Sequence, residues 1–129
     1  MRFLIDTQVL IWSQDNPGRL SASATTVLTN SQHDLSINVA TAWEIGIKVS
    51  IGKLSLAKPF RSWIETAVID LRLTVSPIGL DLIGRQIALP FHHRDPFDRM
   101  LAAQALVECI PIVSIDSIFD SYGVTRIWT

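Results

Sequence analysis

The sequence predicts an α/β fold, with a mainly parallel central sheet of about five strands and helices on both faces. Three observations carry this. Short bursts of apolar and β-branched residues alternate with longer segments of helical periodicity along the whole chain. The composition, 48% hydrophobic against 18% charged, is that of a compact globular protein rather than a disordered one. No linker, repeat or low-complexity tract divides the 129 residues, so one domain spanning 1–129 is expected.

The elements follow in order. "RFLID", Arg2 to Asp6, is a strand closed by an acid, and the spacing of Val9, Leu10 and Trp12 then suits a helix. "NPGRLS" is a loop, because Pro-Gly breaks a helix, and Ser21 can cap the next one, which runs to about Asn30. "DLSINV" reads as the second strand. "ATAWEIGIKVSIGKL" is a helix that places Ala40, Glu44, Ile47 and Ile51 on one stripe, expected to face the core. Past the loop "GKLSLAKP", "FRSWIETAVIDLR" is a helix, "LTVSPI" a strand, and "GLDLIGRQIAL" a helix closed by Pro90. "HHRDPFDRMLAAQA", His92 to Ala105, crowds acids, histidines and arginines around Pro96 before becoming an apolar helix. "IPIVSID" is a buried strand ending at Asp116, followed by a short turn or helix and a last strand near "GVTRIW".

Bulk properties exclude several function classes. A formal net charge of −1 gives no global attraction to nucleic acid, so any such contact must use a local patch. The single cysteine, Cys109, excludes an internal disulfide and reads as a core thiol of a reducing compartment. Asp6 interrupts the N-terminal apolar run and no small-residue cleavage site follows, while Met100 to Ile115 is too short for a membrane span. The expectation is a cytoplasmic protein with no membrane partner. Trp12, Trp43, Trp63 and Trp128 read as core or interface residues.

Four acids stand out by position. Asp6 and Asp116 end strands, which puts both at the carboxyl edge of a parallel sheet, where ligands bind. Helices that follow strands begin at that edge, bringing Asp98 and Glu44 near. Ordinary readings stand beside this one. Asp95 before Pro96 is the pairing of an N-cap acid with proline at the first helical position. Asp98, Asp6 and Asp116 also suit helix or turn capping, and Glu44 suits an i, i+4 pair with Lys48. If all four converge, each pair of like charges about 4 Å apart costs on the order of 4 kcal/mol at an effective dielectric near 20. No Lys or Arg has a predictable place among all four, so convergence implies a hard divalent cation, Mg²⁺ or Mn²⁺.

Other signals are weaker. "His93-Arg94-Asp95" copies the start of a kinase catalytic loop, but the following asparagine and a Gly-rich loop are missing. His92 and His93 lack a third ligand at zinc spacing and read as exposed loop residues. With Arg94 and Arg99 they offer local positive charge, as do Lys48, Lys53, Lys58 and Arg61, although a solvated surface explains both groups as well. A receiver-type signalling domain shares the length and alternation, yet "LTVSPI" ends without an acceptor Asp and no Lys follows Lys58.

Four segments, "FLIDTQVLIW", "TAWEIGIKVSIGKL", "HHRDPFDRMLAAQAL" and "IVSIDSIFDSYGV", carry a family likeness across essentially the whole chain. The sequence resembles the PIN-domain ribonucleases, specifically the VapC-type toxins of bacterial VapBC toxin–antitoxin pairs. The resemblance implies a PIN-like three-layer sandwich and places the family's acidic quartet on Asp6, Glu44, Asp98 and Asp116. Its hydroxyl positions fall on Thr7 and Ser114, which would orient carboxylates, and the proline-linked acid falls on Asp95. Ser114 stands where threonine is frequent, and Gln8 where histidine is frequent. The implied activity is a Mg²⁺- or Mn²⁺-dependent endoribonuclease that inhibits translation, cutting RNA by water attack to leave a 5′-phosphate and a 3′-hydroxyl. Asp6 and Asp98 would be the main metal contacts, with Glu44 and Asp116 completing the cluster. A homodimer and a cognate VapB-type antitoxin docking a helix in an apolar groove are implied as well. The alternative is a PIN fold kept only as an interaction scaffold, which the presence of all four acids disfavours.

Overall fold

The computed structural model describes residues 1–129. Five strands, β1 (Arg2–Ile5), β2 (Asp34–Asn38), β3 (Thr74–Ser76), β4 (Ile112–Val113) and β5 (Arg126–Ile127), form one sheet in the order β3-β2-β1-β4-β5. Every pairing is parallel. Seven helices connect them: α1 (Thr7–Asp15), α2 (Ala22–Thr29), α3 (Val39–Ser50), α4 (Phe60–Asp70), α5 (Leu80–Ile87), α6 (Pro96–Glu108) and α7 (Ile118–Ser121). A single 3₁₀ turn, Pro17–Arg19, occupies the expected Pro-Gly loop.

Period-two alternation in the central strands feeds two cores. Phe3 and Ile5 of β1 enter one, with Val9, Leu10, Val27, Ile45 and Trp63 of α1 to α4. Leu4 points the other way and joins Leu101, Ala102 and Phe119 of α6 and α7. β4 repeats the division, with Val113 in the first core and Ile112 in the second. The strand order gives the reason. From β1 the chain steps outward to β2 and β3, then crosses back to β4 and β5. Right-handed crossovers running in opposite directions lay their helices on opposite faces. The reversal falls between β1 and β4, where Ile5 pairs with Val113, and there a crevice opens at the carboxyl edge.

Caps fix the helix starts around that crevice. The Asn38 side-chain oxygen accepts from the Ala40 amide at 2.8 Å, and its Nδ2 donates to Gln104 Oε1 at 2.8 Å, tying the end of β2 to α6. Asn38→Ala removes an N-cap and strands a buried amide, so it is expected to cost about 2 kcal/mol in urea unfolding. A loss below about 0.5 kcal/mol would contradict this account. On α6, Asp95 Oδ1 accepts from the amides of Phe97 and Asp98 at 2.8 and 3.2 Å, and Pro96 takes the first helical position. Ala102, Ala103 and Ala105 are small enough to let α6 lie close against the sheet.

Several side chains depart from their expected places. Cys109 ends α6 in the left-handed region (φ 53°) and is exposed, because the chain turns away there before β4. On α3 the core-facing stripe runs through Thr41, Ile45 and Val49, with Ala40 and Glu44 beside it, while Ile51 is 58% exposed. Arg99 supplies no surface charge. It is buried, donates to the carbonyls of Gln86, Leu89 and Pro90 at 2.9 to 3.1 Å, and stacks on Phe91, fastening the segment between α5 and α6. Among the tryptophans, Trp63 is in the core, Trp12 and Trp128 pack on each other, and Trp43 is exposed with its ring edge-on to Phe97. No helix is long and apolar enough to cross a membrane.

Candidate functional site

The crevice at the reversal point holds a cavity of about 190 Å³ lined by Asp6, Thr7, Gln8, Glu44, Lys48, Asp95, Asp98, Ile115 and Asp116. All four acids singled out from the sequence therefore meet in one place. Asp6 follows the last residue of β1 and Asp116 lies just past β4. Glu44 descends from the second turn of α3, and Asp98 from the first turn of α6. Asp95 lines the same cavity, with one oxygen committed to capping α6.

Each acid is held by a donor of its own. Asp6 Oδ2 accepts from Ser114 Oγ at 2.6 Å and Oδ1 from the Thr7 amide at 2.7 Å. Glu44 Oε1 accepts from Thr7 Oγ1 at 2.7 Å, so the Thr7 hydroxyl serves a carboxylate across the site rather than a helix cap. Asp116 Oδ1 caps the short α7 by accepting from the Ile118 amide at 3.0 Å, and the Asp116 amide donates to Ser114 Oγ. Ser114 thus braces both strand-end acids, which lie on neighbouring strands. Gln8, the departure noted at a position where the resembled family often carries histidine, lines the cavity.

Electrostatics separate these groups from ordinary caps. Burial, aided by the charges of Glu44 and Asp116, pushes the Asp6 carboxyl up to about 6 from 3.8, against the hydrogen bonds of Ser114 and Thr7. Burial likewise pushes Asp98 up to about 7, with the charges of Asp6, Asp95 and Glu44 adding to it and the contact with His93 opposing it. The cluster holds more negative charge than its protein surroundings satisfy.

Two neighbours were not assigned to the site from the sequence. Lys48 donates to Glu44 Oε2 at 2.9 Å and lines the cavity, so one cation does sit among the acids. Burial pulls its ammonium down, but the hydrogen bond and charge of Glu44, with Asp95 and Asp98, raise it above 10.5. The i, i+4 spacing to Glu44 was the available signal. One ammonium against five carboxylates, Asp95 included, leaves the cluster anionic. His93 is the second: far from being a free loop residue, it places Nε2 2.8 Å from Asp98 Oδ2. One ligand-type atom from each of His93, Asp98 and Asp116 falls within 4.8 Å of the others. No periodicity marks a loop residue, so only proximity to Asp98 could have flagged it.

The donor set suits a hard divalent cation with bound water: carboxylates in excess, two of them destabilised as anions, around a cavity of about 190 Å³. A family model described as PIN domain matches residues 3–124. No curated protein matches the sequence. Among solved structures, the chain is similar to VapBC2 from Rickettsia felis bound to a promoter DNA fragment, with a TM-score of 0.73 at 13% identity over 100% of both chains. It is also similar to FitAcB from Neisseria gonorrhoeae (TM-score 0.69, 14% identity, covering 97% of this chain and 96% of that one). VapBC-1 from nontypeable Haemophilus influenzae gives 0.65 at 15% identity over 98% and 97%. Likeness at such identities speaks for a shared fold.

Proposed function

The chain belongs to the PIN-domain family, and from that premise we propose that it is a divalent-metal-dependent endoribonuclease, the VapC-type toxin of a toxin–antitoxin pair. The observation that carries this is the gathering of Asp6, Glu44, Asp98 and Asp116 in one cavity with a single lysine. A scaffold that only bound partners would have no use for carboxylates held raised at about 6 and about 7.

Asp6 and Asp98 would be the main holders of Mg²⁺ or Mn²⁺, with Glu44 and Asp116 completing the set. When bound, the ion supplies positive charge that offsets charge growing on the phosphate and makes water acidic enough to lose a proton near neutral pH. The protein's own groups do the rest. Ser114 and Thr7 keep Asp6 and Glu44 from rotating, so the carboxylates need little reorganisation when the substrate arrives. Both Glu44 oxygens are engaged, by Thr7 and Lys48, whereas Asp116 commits only Oδ1. Asp116 Oδ2 is therefore the assigned acceptor for the proton of the attacking water. The water oxygen bonds to phosphorus, the bond to O3′ breaks, and O3′ takes a proton from solvent, giving a 5′-phosphate and a 3′-hydroxyl. Lys48 is placed to meet a phosphate oxygen.

Partners follow from exposed apolar surface. A groove of about 250 Å³ along α4, lined by Ile64, Glu65, Val68 and Ile69, suits the apolar face of an antitoxin helix. Leu80, Ile83 and Ile87 of α5 and Phe91 beyond it are exposed and would be covered in a homodimer.

The test is purified protein incubated with RNA in Mg²⁺, Mn²⁺ or EDTA, beside Asp98→Asn. Cleavage that needs the ion and is lost in the variant is expected; cleavage in EDTA, or none with either ion, overturns the proposal. Lys48→Gln should tighten Mn²⁺ binding several-fold by removing a competing charge, and weaken RNA binding. Calorimetry and the KM for a single-stranded substrate measure the two effects.

A further inference from the structure

We propose that His93 positions Asp98, donating a hydrogen bond that fixes this carboxylate toward the cation site without itself ligating the ion. The inference rests on the metal reading above and adds a residue to it. Distance alone would favour a different role, because His93, Asp98 and Asp116 offer three ligand-type atoms within 4.8 Å of one another.

The hydrogen bonds decide between the two. His93 Nδ1 faces the backbone amides of Arg94, at 3.0 Å, and Asp95, at 3.4 Å. A ring nitrogen that accepts an N–H keeps its lone pair, so the ring proton belongs on Nε2. Nε2 faces Asp98 Oδ2 at 2.8 Å and donates to it. A nitrogen carrying that proton has no electron pair for a metal. Histidine ligands show the opposite pattern, with the non-ligating nitrogen donating to a carboxylate or carbonyl.

The backbone that carries the ring is held as well. The His93 amide donates to the Tyr122 hydroxyl at 2.9 Å, and the buried Arg99 donates to the same hydroxyl at 3.3 Å. The backbone of His93 is thus fixed by Tyr122, just past α7, and by Arg99 of α6, independently of the contact with Asp98. With Oδ2 engaged, Asp98 keeps Oδ1 for the cavity. His93 thereby does for Asp98 what Ser114 does for Asp6 and Thr7 for Glu44.

Calorimetric titration of the full chain with Mg²⁺ and with Mn²⁺ tests this, using the parent, His93→Ala and His93→Gln. Loss of an outer-shell donor is expected to weaken both ions by a similar factor, about ten- to a hundredfold, in His93→Ala. His93→Gln should recover much of the loss through its amide N–H. In the ion-free parent, long-range ¹H–¹⁵N spectra should show His93 protonated on Nε2 and bare on Nδ1, a readout that survives even if a variant fails to fold. In the Mn²⁺-loaded parent, pulsed electron paramagnetic resonance should show no directly coordinated nitrogen. A folded His93→Ala that binds as tightly as the parent, a proton on Nδ1, or a coordinated nitrogen each overturns the positioning role. No binding by the parent would overturn the metal reading itself, a distinct result.

Discussion

Asp6→Asn is expected to lower RNA cleavage by about 10³-fold or more while making the ion-free protein more stable at pH 8. The two effects share one cause. Asp6 is 6% exposed, and burial together with the charges of Glu44 and Asp116 raises its carboxyl from 3.8 to about 6. That distance corresponds to about 3 kcal/mol of penalty on the ionised form, an upper figure for what a neutral residue would recover. Asparagine keeps an oxygen to accept from the Thr7 amide, so the start of α1 survives, and the expected gain is on the order of 1–3 kcal/mol. It also loses the charge that would draw a cation. Urea unfolding at pH 8 and cleavage of single-stranded RNA measure the two halves. A variant that cut RNA like the parent would remove Asp6 from the chemistry, and one less stable at pH 8 would refute the burial account.

Divalent ions should stabilise the protein at pH 8 by about 2.7 kcal/mol when present at a hundred times the dissociation constant, and hardly at all at pH 5. Asp6 and Asp98 are raised in the folded protein to about 6 and about 7 from 3.8. Between those limits the folded chain holds protons that the unfolded chain has released. Their contribution to stability is therefore fully present below pH 4 and is lost as the pH climbs through about 6 to 7. A cation works in the opposite sense, because it requires the carboxylates ionised. For a chain of this size, melting at pH 8 should rise by roughly 10 °C with Mn²⁺ and return to baseline with EDTA. Equal shifts at both pH values would mean that the ion binds elsewhere.

Much of the architecture was legible in the chain, for identifiable reasons. "FLI" and "PIV" are apolar at consecutive positions because the strands are covered on both faces, and the acids that follow them mark the carboxyl edge. Asp95-Pro96 signalled the start of α6 because a cap and a proline at the first position act locally. What depends on tertiary placement was not legible. Ile51 repeats the spacing of a core stripe, but α3 ends as it leaves the sheet, so the position meets solvent. Arg99 reads as surface charge in any sequence window, yet three carbonyls, of Gln86 near the end of α5 and of Leu89 and Pro90 beyond it, give a buried guanidinium its partners. His93 was misread for the same reason: a loop has no period, and its partner is fixed by the turn into α6. The convergence of the acids followed from topology and the Glu44–Lys48 pair from its i, i+4 spacing, whereas the entry of Lys48 into the cluster depended on which way that pair leaned.

The bond from Ser114 to Asp6 joins residues 108 positions apart, and the strands that carry them are neighbours in the sheet. The first carboxylate therefore gains its brace only once β4 has docked beside β1, so the acidic cluster is a product of the finished sheet and no early fragment of the fold can hold it together.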